Sequence, residues 1–549
     1  MWKHTRTSLC FLALLLAASA PLGAQRVLGE HKIRKFPTED NDVYPYDYLR
    51  QPGTTLFALH DPCVQVGEGE YVHIWQPDRG FARERMMRKY DIFAEERWAI
   101  ELELEREEEI LHCYAVDTAV VLITTRFDFD KDQHLVYART YDLETGEAAE
   151  PRILYLVNGK SDQEVLLALA PGGQHFLLYH FKSESPVQRV GLQYDRVMGD
   201  DQPGYRVVSA RHVYFSFFDL SLELLDTGVL DLPTRHCVVQ DCRPDSAGNV
   251  YVVVHERRQR LHVFQHRRAD HSQQHLVHED YVRAGELYDP YLTHQPPLAA
   301  RGGRLYITQP TIRKQGRGRG LQRLDVLCFD FGAGRVDRSR EVVINSTLLV
   351  AVQKQRALFG MRTLRHFDNY VVRGLVEMQD SSLWLITQRY EAFNHTYTPY
   401  SADRREFYEQ RIEELVLYEF DPAGSLRQVI TVPMTQKLST YYDRTALFYA
   451  MDIDPVRKQL RLLTREPSGD KLTGPERIYH RRIDLATPRV SARTLVYESR
   501  RRNTYLLNAY TEWLNPDIVS FVAVDTPGGS AYTVVVNVEA EPQPDDDSR

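Results

Sequence analysis

Three carboxylates alternate along one short turn of the sequence, between two apolar runs. They belong to Asp128, Asp130 and Asp132, in the order Asp-Phe-Asp-Lys-Asp. Alternating carboxylates open the calcium loops of EF-hand proteins, but such a loop would have glycine at Gln133 and glutamate at Arg139. The EF-hand motif therefore fails. A looser Ca²⁺ site and a solvated turn without metal are the two interpretations that remain, and we otherwise expect no cofactor.

A second stretch with recognisable chemistry is basic. Its cations are Arg313, Lys314, Arg317 and Arg319, and glycines separate them up to Gly320. The stretch links two apolar runs, so we expect a flexible hairpin loop. Its cations could bind phosphate, sulfate or the carboxylates of an anionic glycan. A solvated loop without a ligand is the alternative interpretation.

The third candidate is an aromatic insertion from Tyr390 to Gln410, which interrupts a pair of apolar runs. Loops of this length are usually functional or disordered, and disordered segments are poor in aromatic residues. We therefore expect an ordered insertion that folds over one rim of the molecule, near the basic loop, and contacts a protein partner. The candidate contact residues are Tyr390, Phe393, Tyr397, Tyr400, Arg404 and Arg405. The alternative is that the aromatic side chains cap the core of their own repeat.

Cysteine chemistry is a weaker candidate. Five cysteines follow residue 24, so at least one is unpaired or paired between chains. Cys237 and Cys242 are close enough in sequence for a local disulfide. His236 beside them suggests a metal site, but a second pair of ligands is missing, and we favour the disulfide over the metal.

Sequence signatures of common enzymes are absent from the chain. No Gly-x-Ser-x-Gly, Walker loop or His-Glu-x-x-His motif occurs. The glutamates between Glu101 and Glu109 alternate at first with Leu102 and Leu104, a pattern that predicts a solvent-facing strand.

The elements that must position these residues recur along the chain in two kinds. One kind of apolar run follows a turn, as after Pro171-Gly172-Gly173. The other kind ends in a large apolar residue followed by aspartate, at Asp91, Asp142, Asp219, Asp330, Asp421 and Asp484. The run Leu261–Phe264 occupies an equivalent place without the aspartate. Aspartate side chains close turns by accepting hydrogen bonds from nearby backbone, so we interpret these residues as turn formers and not as catalytic groups.

Seven such pairs without a linker between them predict an all-β fold, a β-propeller of seven blades with long inserted loops. A terminal hairpin around Pro527-Gly528-Gly529 either completes the seventh blade or begins an eighth. We expect Thr54 to His60 to join this hairpin and close the ring. Two β-sandwich domains are the alternative architecture. The best helical periodicity, from Ala402 to Glu414, is short.

Charge and hydropathy predict the compartment. A basic start, the apolar stretch Leu9–Ala20 and small residues before Gln25 predict a secretory signal peptide over residues 1–24. We expect one propeller domain over residues 25–538 and a disordered acidic tail over residues 539–549. No later run approaches ~18 consecutive apolar residues, so we expect no transmembrane segment and an exported protein, periplasmic, extracellular or at the cell surface. The net charge of −8 argues against nucleic-acid binding.

Four motifs follow one another in the C-terminal half of the chain. They are Arg389-Tyr390, Asp421 to Gly424, Val432 to Lys437 and Thr464-Arg465. Over Val376 to Glu539 their order resembles uncharacterised exported propeller-like proteins of Bacteroidota-type bacteria. The chain departs from that pattern at Gln428 and at Arg465-Glu466, where the relatives favour Trp and Asn-Asp. The resemblance implies export and a propeller fold, and it implies no activity.

Two classes of function fit these observations. The favoured class is a non-catalytic exported propeller that serves as a binding or scaffold subunit for a protein partner or a cell-envelope assembly. The missing enzyme motifs and the Tyr-rich insertion favour it, because Tyr and Arg are enriched at the centres of interfaces. The alternative is a propeller enzyme acting on a polysaccharide, a lyase or hydrolase whose Tyr, His, Arg and carboxylate groups come from several blades.

Overall fold

A computed structural model gives the fold of the chain. It describes residues 27–33, 63–67, 69–75, 85–105, 108–159, 165–171, 173–183, 188–190, 205–207, 210–233, 237–256, 260–279, 298–315, 318–364, 366–367, 370–397, 405–440, 449–454, 456–467, 475–502, 504–525 and 531–538. The predicted signal peptide and the predicted acidic tail lie outside these residues and stay predictions. Among the described residues no helix is long and apolar enough to cross a membrane.

The described strands form eight antiparallel sheets of at least four strands, the blades of a β-propeller, and one short extra hairpin. The first strand, β1 (Val27–Ile33), belongs to the last blade. Blade 1 consists of β2 (Cys63–Gly67), β3 (Glu70–Trp75), β4 (Met86–Tyr90) and β5 (Glu96–Glu101). Blade 2 consists of β6 (Glu109–Val116), β7 (Ala119–Asp128), β8 (Gln133–Asp142) and β9 (Arg152–Asn158).

The next two blades differ in their connections. Blade 3 starts with β10 (Leu166–Leu169) and β11 (His175–Ser183), continues through the separate hairpin β12 (Gln188–Val190) and β13 (Tyr205–Val207), and ends with β14 (Ala210–Asp219) and β15 (Leu224–Asp231). Blade 4 consists of β16 (Cys237–Pro244), β17 (Val250–Glu256), β18 (Arg260–His266) and β19 (Gln273–His278).

The C-terminal blades contain the longest strands. Blade 5 consists of β20 (Leu298–Arg301), β21 (Arg304–Gln315), β22 (Gly318–Asp330) and β23 (Arg335–Val343), and helix α1 (Ser346–Leu358) follows it. Blade 6 consists of β24 (Tyr370–Glu377), β25 (Leu383–Tyr397), β26 (Arg405–Phe420) and β27 (Leu426–Thr440). Blade 7 consists of β28 (Tyr449–Asp454), β29 (Gln459–Pro467), β30 (Pro475–Asp484), β31 (Arg489–Val490) and β32 (Thr494–Arg502). Blade 8 consists of β33 (Thr504–Asn515), β34 (Ile518–Asp525), β35 (Ala531–Asn537) and β1.

Strands from both ends of the chain close the ring. Strand β1 pairs with β35, from Val27 opposite Val536 to Ile33 opposite Ala531. The terminal hairpin therefore builds an eighth blade, and the eight-bladed alternative is confirmed. The closing strand is Val27–Ile33, whereas the expected strand Thr54–His60 lies outside the described residues. This pairing covers the edge of β35, which would otherwise be exposed.

Apolar cores fill the interfaces between neighbouring blades, and one of these cores extends over blades 6, 7 and 8. Between blades 2 and 3, for example, Ile123 and Val136 pack against Phe176 and Leu178. A cluster with Tyr71, Tyr90 and Val535 joins blade 1 to blade 8. The second strands are rich in β-branched and aromatic residues because both of their faces are buried between blades, and each buried large side chain contributes about 1.5–3 kcal/mol.

The recurring aspartates close the turns between the third and fourth strands. Asp91 Oδ1 accepts hydrogen bonds from the backbone N–H groups of Phe93 and Glu95, at 2.8 and 2.9 Å. Asp421 Oδ1 accepts from Ser425 at 2.9 Å in the same way. Corresponding bonds are made by Asp142, Asp219, Asp330 and Asp484. The interpretation of these residues as turn formers is confirmed.

The short helical periodicity at Ala402–Glu414 does not correspond to a helix. The segment Ala402–Glu414, with its short helical periodicity, contributes from Arg405 onward to β26, because strands pair with it on both sides. The helix is instead α1, which Asn345 caps by accepting a hydrogen bond from the backbone N–H of Leu348 at 2.9 Å.

Candidate functional site

The strand order places the connections of the propeller on two opposite faces. On the turn face, the first strand of a blade connects to the second and the third to the fourth, through tight turns such as 378–382 and 421–425. On the loop face, the second strand connects to the third and each blade connects to the next. The longest connections belong to the loop face: 34–62, 184–209, 280–297 and 344–369.

The basic stretch lies on the loop face as part of a β-hairpin. Arg313 pairs with Gly320 and Lys314 pairs with Arg319, so strands β21 and β22 continue to Gln315 and Gly318. The expectation of a flexible loop is wrong for these residues, because the antiparallel register continues through them after one bulge. Their side chains and all of Arg317 lie outside the described part of the chain, so binding by these cations stays a prediction.

The aromatic segment is also a β-hairpin, on the same face in the neighbouring blade. Tyr390 pairs with Ile412, and Tyr397 pairs with Arg405. The segment therefore lengthens β25 and β26 instead of folding over the rim as a separate insertion. Phe393 lies on β25, while Tyr400 and Arg404 lie outside the described residues, as do the side chains of the other candidate contact residues.

Three strands of blade 6 continue beyond its innermost strand. Strand β24 pairs with β25 only as far as Tyr370 opposite Arg389, whereas β26 still pairs with β27 at Tyr408 opposite Thr440. We call residues 390–397, 405–412 and 436–440 the blade 6 extension. Within the described chain, no strand pairs with the free edge of β25 in this extension. Such an edge presents backbone N–H and C=O groups that a further strand can pair with.

A buried ionic cluster holds the base of the blade 6 extension to helix α1. Arg356, only 1% exposed, contacts the carboxylate of Glu414 and lies 3.2 Å from Glu413 Oε2. Arg356 also donates to the carbonyl of Arg362, and the Tyr370 hydroxyl donates to Glu414. Burial, together with the charge of Glu414, raises the pKa of Tyr370 well above its ordinary value. Removing one partner of such a buried pair typically costs about 3–5 kcal/mol, so this cluster is a rigid base.

A tyrosine–histidine pair lies between blades 2 and 3, toward the loop face. The Tyr155 hydroxyl is 2.9 Å from His180 Nδ1, and the His180 ring stacks on Tyr214 with 4.8 Å between centroids. Burial, with a contribution from His134, lowers the pKa of His180 to about 4. Burial raises the pKa of Tyr155 to about 12, so both groups are uncharged at neutral pH. With these pKa values the two neutral groups share a hydrogen bond, and transfer of the phenol proton to the imidazole is unfavourable.

The sequence contained no motif for this tyrosine–histidine pair, because the two residues come from different blades. The only available signal was His180 in HFLLYHF. This polar residue follows Phe176 and Leu178 at every second position, and both of those residues are buried. Alternation predicts that His180 faces the same interface as those residues.

The three aspartates of the expected calcium site lie in the β7–β8 turn on the loop face. Asp128 Oδ1 accepts hydrogen bonds from the backbone N–H groups of Asp130 and Lys131, at 3.1 and 3.2 Å. Asp128 therefore closes the turn. The structure does not bring Asp128, Asp130 and Asp132 together as a group of metal ligands, and the calcium site stays a prediction.

The four cysteines whose side chains are described are buried, and none of them forms a disulfide. Cys237 and Cys242 lie on the same extended strand, β16, so their Cα atoms are about 15 Å apart, whereas a disulfide needs roughly 4.4–6.8 Å. The favoured disulfide is therefore wrong. His236 and the side chain of Cys63 lie outside the described residues.

An acidic cleft of about 400 Å³ lies on the outer flank between blades 1 and 2, and Glu101, Glu103 and Arg139 line it. The predicted solvent-facing strand over Glu101–Glu109 is wrong, because strand β5 ends at Glu101 and β6 begins only at Glu109. Between these strands, Glu108 is fully buried and accepts two hydrogen bonds from Arg139, at 2.7 and 2.8 Å. The glutamate run is thus partly structural, because Arg139 and the Thr124 hydroxyl compensate the buried Glu108.

No family model and no curated protein sequence matches the chain. Among solved structures, prolyl oligopeptidase B from Galerina marginata is similar with a TM-score of 0.38 and 8% identity, over 87% of this chain and 56% of that one. An ulvan lyase of a polysaccharide lyase family has a TM-score of 0.37 and 8% identity, over 90% and 96% of the two chains. The Nup133 β-propeller domain of Vanderwaltozyma polyspora has a TM-score of 0.35 and 9% identity, over 78% and 100%.

These likenesses carry no inference about activity, because their TM-scores and identities are low. This chain also spans little more than half of the oligopeptidase, 56% of its length. The propeller fold itself follows from the order of the sheets and from the apolar cores between the blades.

Proposed function

We propose that the protein is a non-catalytic binding propeller, exported to the cell envelope, that docks a protein partner on its loop face. The single observation that carries this proposal is the blade 6 extension, whose β25 edge has no pairing strand within the described chain. A partner segment in extended conformation would add to this edge as a further strand. Main-chain hydrogen bonds would provide affinity in such β-augmentation, and side-chain contacts would provide specificity.

The base of the extension supports the same function. The ion pairs of Arg356 with Glu413 and Glu414 join helix α1 to β26 where the extension leaves the blade. A rigid base means that little conformational entropy is lost when a partner binds, which favours affinity.

The composition of the hairpins supports a protein partner. The extension contains Tyr390, Phe393 and Tyr397, residue types that are enriched among energetically important interface residues. The neighbouring basic hairpin of blade 5, with Arg313 and Lys314, extends on the same face and would attract an acidic partner surface or an anionic glycan.

A deletion that keeps the strand register tests the proposal. Ala392 pairs with Gln410, so replacing residues 393–409 by Asn-Gly shortens the hairpin and leaves the blade intact. The matched control replaces 468–474, the corresponding connection of blade 7, by Asn-Gly. We expect crosslinked partners from a native envelope fraction to be lost only with the blade 6 deletion, while both variants keep the wild-type melting temperature. Recovery of the same partners by a folded blade 6 variant would refute the proposed docking site.

Export has its own test. The mature protein isolated from its native cells should begin at Gln25 and carry no lipid. N-terminal sequencing that finds an intact Met1 would contradict the proposed location.

A second candidate function, cleavage of a polysaccharide, is favoured by the Tyr155–His180 pair. Tyr155 and His180 lie 2.9 Å apart, and both are residue types that acid–base catalysis uses. A panel of anionic polysaccharides, followed by absorbance of unsaturated products and by reducing ends, tests it. Turnover that Tyr155→Phe abolishes in a folded protein would replace the binding proposal. We expect no turnover.

A further inference from the structure

Blade 4 departs from the pattern of the other blades at one buried position. In six blades the residue before the turn-forming aspartate is a buried apolar or aromatic residue: Tyr90, Tyr141, Phe218, Phe329, Phe420 and Ile483. A backbone hydrogen bond identifies the equivalent position in blade 4. In blade 6 the N–H of Asp421 donates to the carbonyl of Ser425, and in blade 4 the N–H of Arg267 donates to the carbonyl of Ser272 at 2.9 Å. His266, which is 3% exposed, therefore occupies the apolar position. A buried histidine in place of a core residue needs a polar partner.

The partner of His266 belongs to the neighbouring blade. His266 Nε2 lies 3.0 Å from Oδ2 of Asp226, a residue of β15 in blade 3 that is 7% exposed. His271, in the β18–β19 turn, places its Nδ1 3.4 Å from Oδ1 of the same carboxylate. In the described part of the chain, these three residues form the only group of at least three metal-ligating side chains whose ligand atoms lie within 4.8 Å of one another.

The turn of blade 4 does not need either histidine. Asp270 closes it by accepting hydrogen bonds from the backbone N–H and the hydroxyl of Ser272, at 3.1 and 2.6 Å. The His271 side chain, which is largely exposed, already faces Asp226 without serving the turn. The ion pairs recorded for the buried Asp226 are both with histidines. A buried carboxylate is costly unless a cation compensates it, and a divalent ion would do so.

We propose that Asp226, His266 and His271 bind a divalent transition-metal ion that joins blades 3 and 4. Two imidazoles and one carboxylate suit Zn²⁺ and its neighbours in the first row, whereas Ca²⁺ prefers oxygen ligands only. Bond lengths of about 2.0–2.1 Å in a tetrahedral site place ligand atoms roughly 3.3 Å apart. His266 Nε2 lies 3.0 Å from Oδ2 of Asp226 and His271 Nδ1 lies 3.4 Å from Oδ1, so one imidazole faces each oxygen of the carboxylate at about this separation. A water molecule would complete the coordination on the exposed side of His271.

The chain contains a matched control for the site. His212 Nδ1 lies 2.7 Å from Asp231 Oδ1, at the other end of the same strand β15. This pair is exposed and has no third ligand, so it offers the same residue types without a closed site. A variant His212→Ala should leave metal binding unchanged.

The test uses the untagged full chain, freed of metal with a chelator and titrated with Zn²⁺ by calorimetry and by thermal denaturation. We expect one saturable site and a melting temperature that rises with Zn²⁺, because an ion that binds only the folded state stabilises it. His271→Ala should weaken binding at least tenfold, and Asp226→Asn should abolish it.

His266→Phe keeps the experiment decisive if other variants unfold, because it restores the residue type of blades 3, 5 and 6 at this position. This variant should fold, with a melting temperature below that of the wild type because the buried Asp226 loses its contact with His266, and it should lose the rise with Zn²⁺. Equal Zn²⁺ affinity in wild type and His266→Phe would overturn the proposal. Absence of a saturable site in the wild type, or an equal loss of affinity in His212→Ala and His271→Ala, would overturn it as well.

Discussion

The turn face and the loop face are built from the same strands, and the recurring aspartate turns of the first differ from the helix-braced connection of blade 6 on the second. On the turn face an aspartate accepts hydrogen bonds from backbone N–H groups that lie two to four positions further along the chain. Asp91, for example, accepts from Phe93 and Glu95. On the loop face the decisive contacts are remote in sequence, as when Arg356 of helix α1 reaches Glu414 of β26. Local closure repeats from blade to blade, whereas remote closure is specific to one blade. Because the same turns recur on one face, the connections of the loop face can vary in length and carry a binding site.

Removing the buried charge at the loop face should have the largest effect. Arg356→Ala leaves Glu414 buried without its cation, so we expect a loss of about 3–5 kcal/mol in the free energy of unfolding. Urea denaturation followed by tryptophan fluorescence measures it. Arg427→Ala, which removes an exposed partner of Asp421 on the turn face, should change stability by less than about 1 kcal/mol. Equal effects of the two substitutions would contradict the contrast between the faces.

The pH dependence of stability provides a second test on the loop-face side. The pKa of His180 is lowered to about 4 by burial, below its ordinary value of about 6.5. Between these two values the unfolded chain binds a proton that the folded chain does not. Stability should therefore rise with pH from about 4 to 6.5 and be fully present above that range. Melting temperatures at intervals of half a pH unit should show this rise, and His180→Gln should reduce its slope. An unchanged slope in the variant would mean that other groups cause it.

A turn-face substitution should have a smaller effect than the loss of Arg356. Asp91→Ala removes two hydrogen bonds to the turn and the contact with Arg97, so we expect a loss of about 1–2 kcal/mol. Asp91→Asn keeps an oxygen acceptor and should recover part of the loss in the same urea denaturation. If Asp91→Ala abolished partner capture while the protein remained folded, the aspartate turns would belong to the binding site.

The smallest expected effect concerns the end of helix α1. Asn345→Ala removes the side-chain acceptor for the Leu348 N–H and should cost about 1 kcal/mol, whereas Asn345→Asp should be nearly neutral. Thermal denaturation of the two variants measures the difference. A loss as large as that of Arg356→Ala would show that the helix end, and not the ionic cluster, holds α1 to blade 6.

The turn-forming aspartates illustrate what could be predicted and why. A residue such as Asp421 acts on backbone only a few positions away, so its role is visible in a short stretch of sequence. The hairpin at Tyr390–Gln410 was not recognised as paired strands, because its pairing depends on β27 and on a register continued from inside the blade. A disulfide between Cys237 and Cys242 was considered because the two residues are close in sequence. Both lie on the extended strand β16, which holds their Cα atoms too far apart for a disulfide.

The sequence by itself determined the β-propeller class and the role of the recurring aspartates, because alternation and turn chemistry act over a few residues. Only the tertiary structure decided the eighth blade, since β1 and β35 come from opposite ends of the chain. It also decided which side chains meet between blades. Tyr155 with His180, and Asp226 with His266, face each other because neighbouring blades pack face to face, and no spacing along the chain encodes that contact.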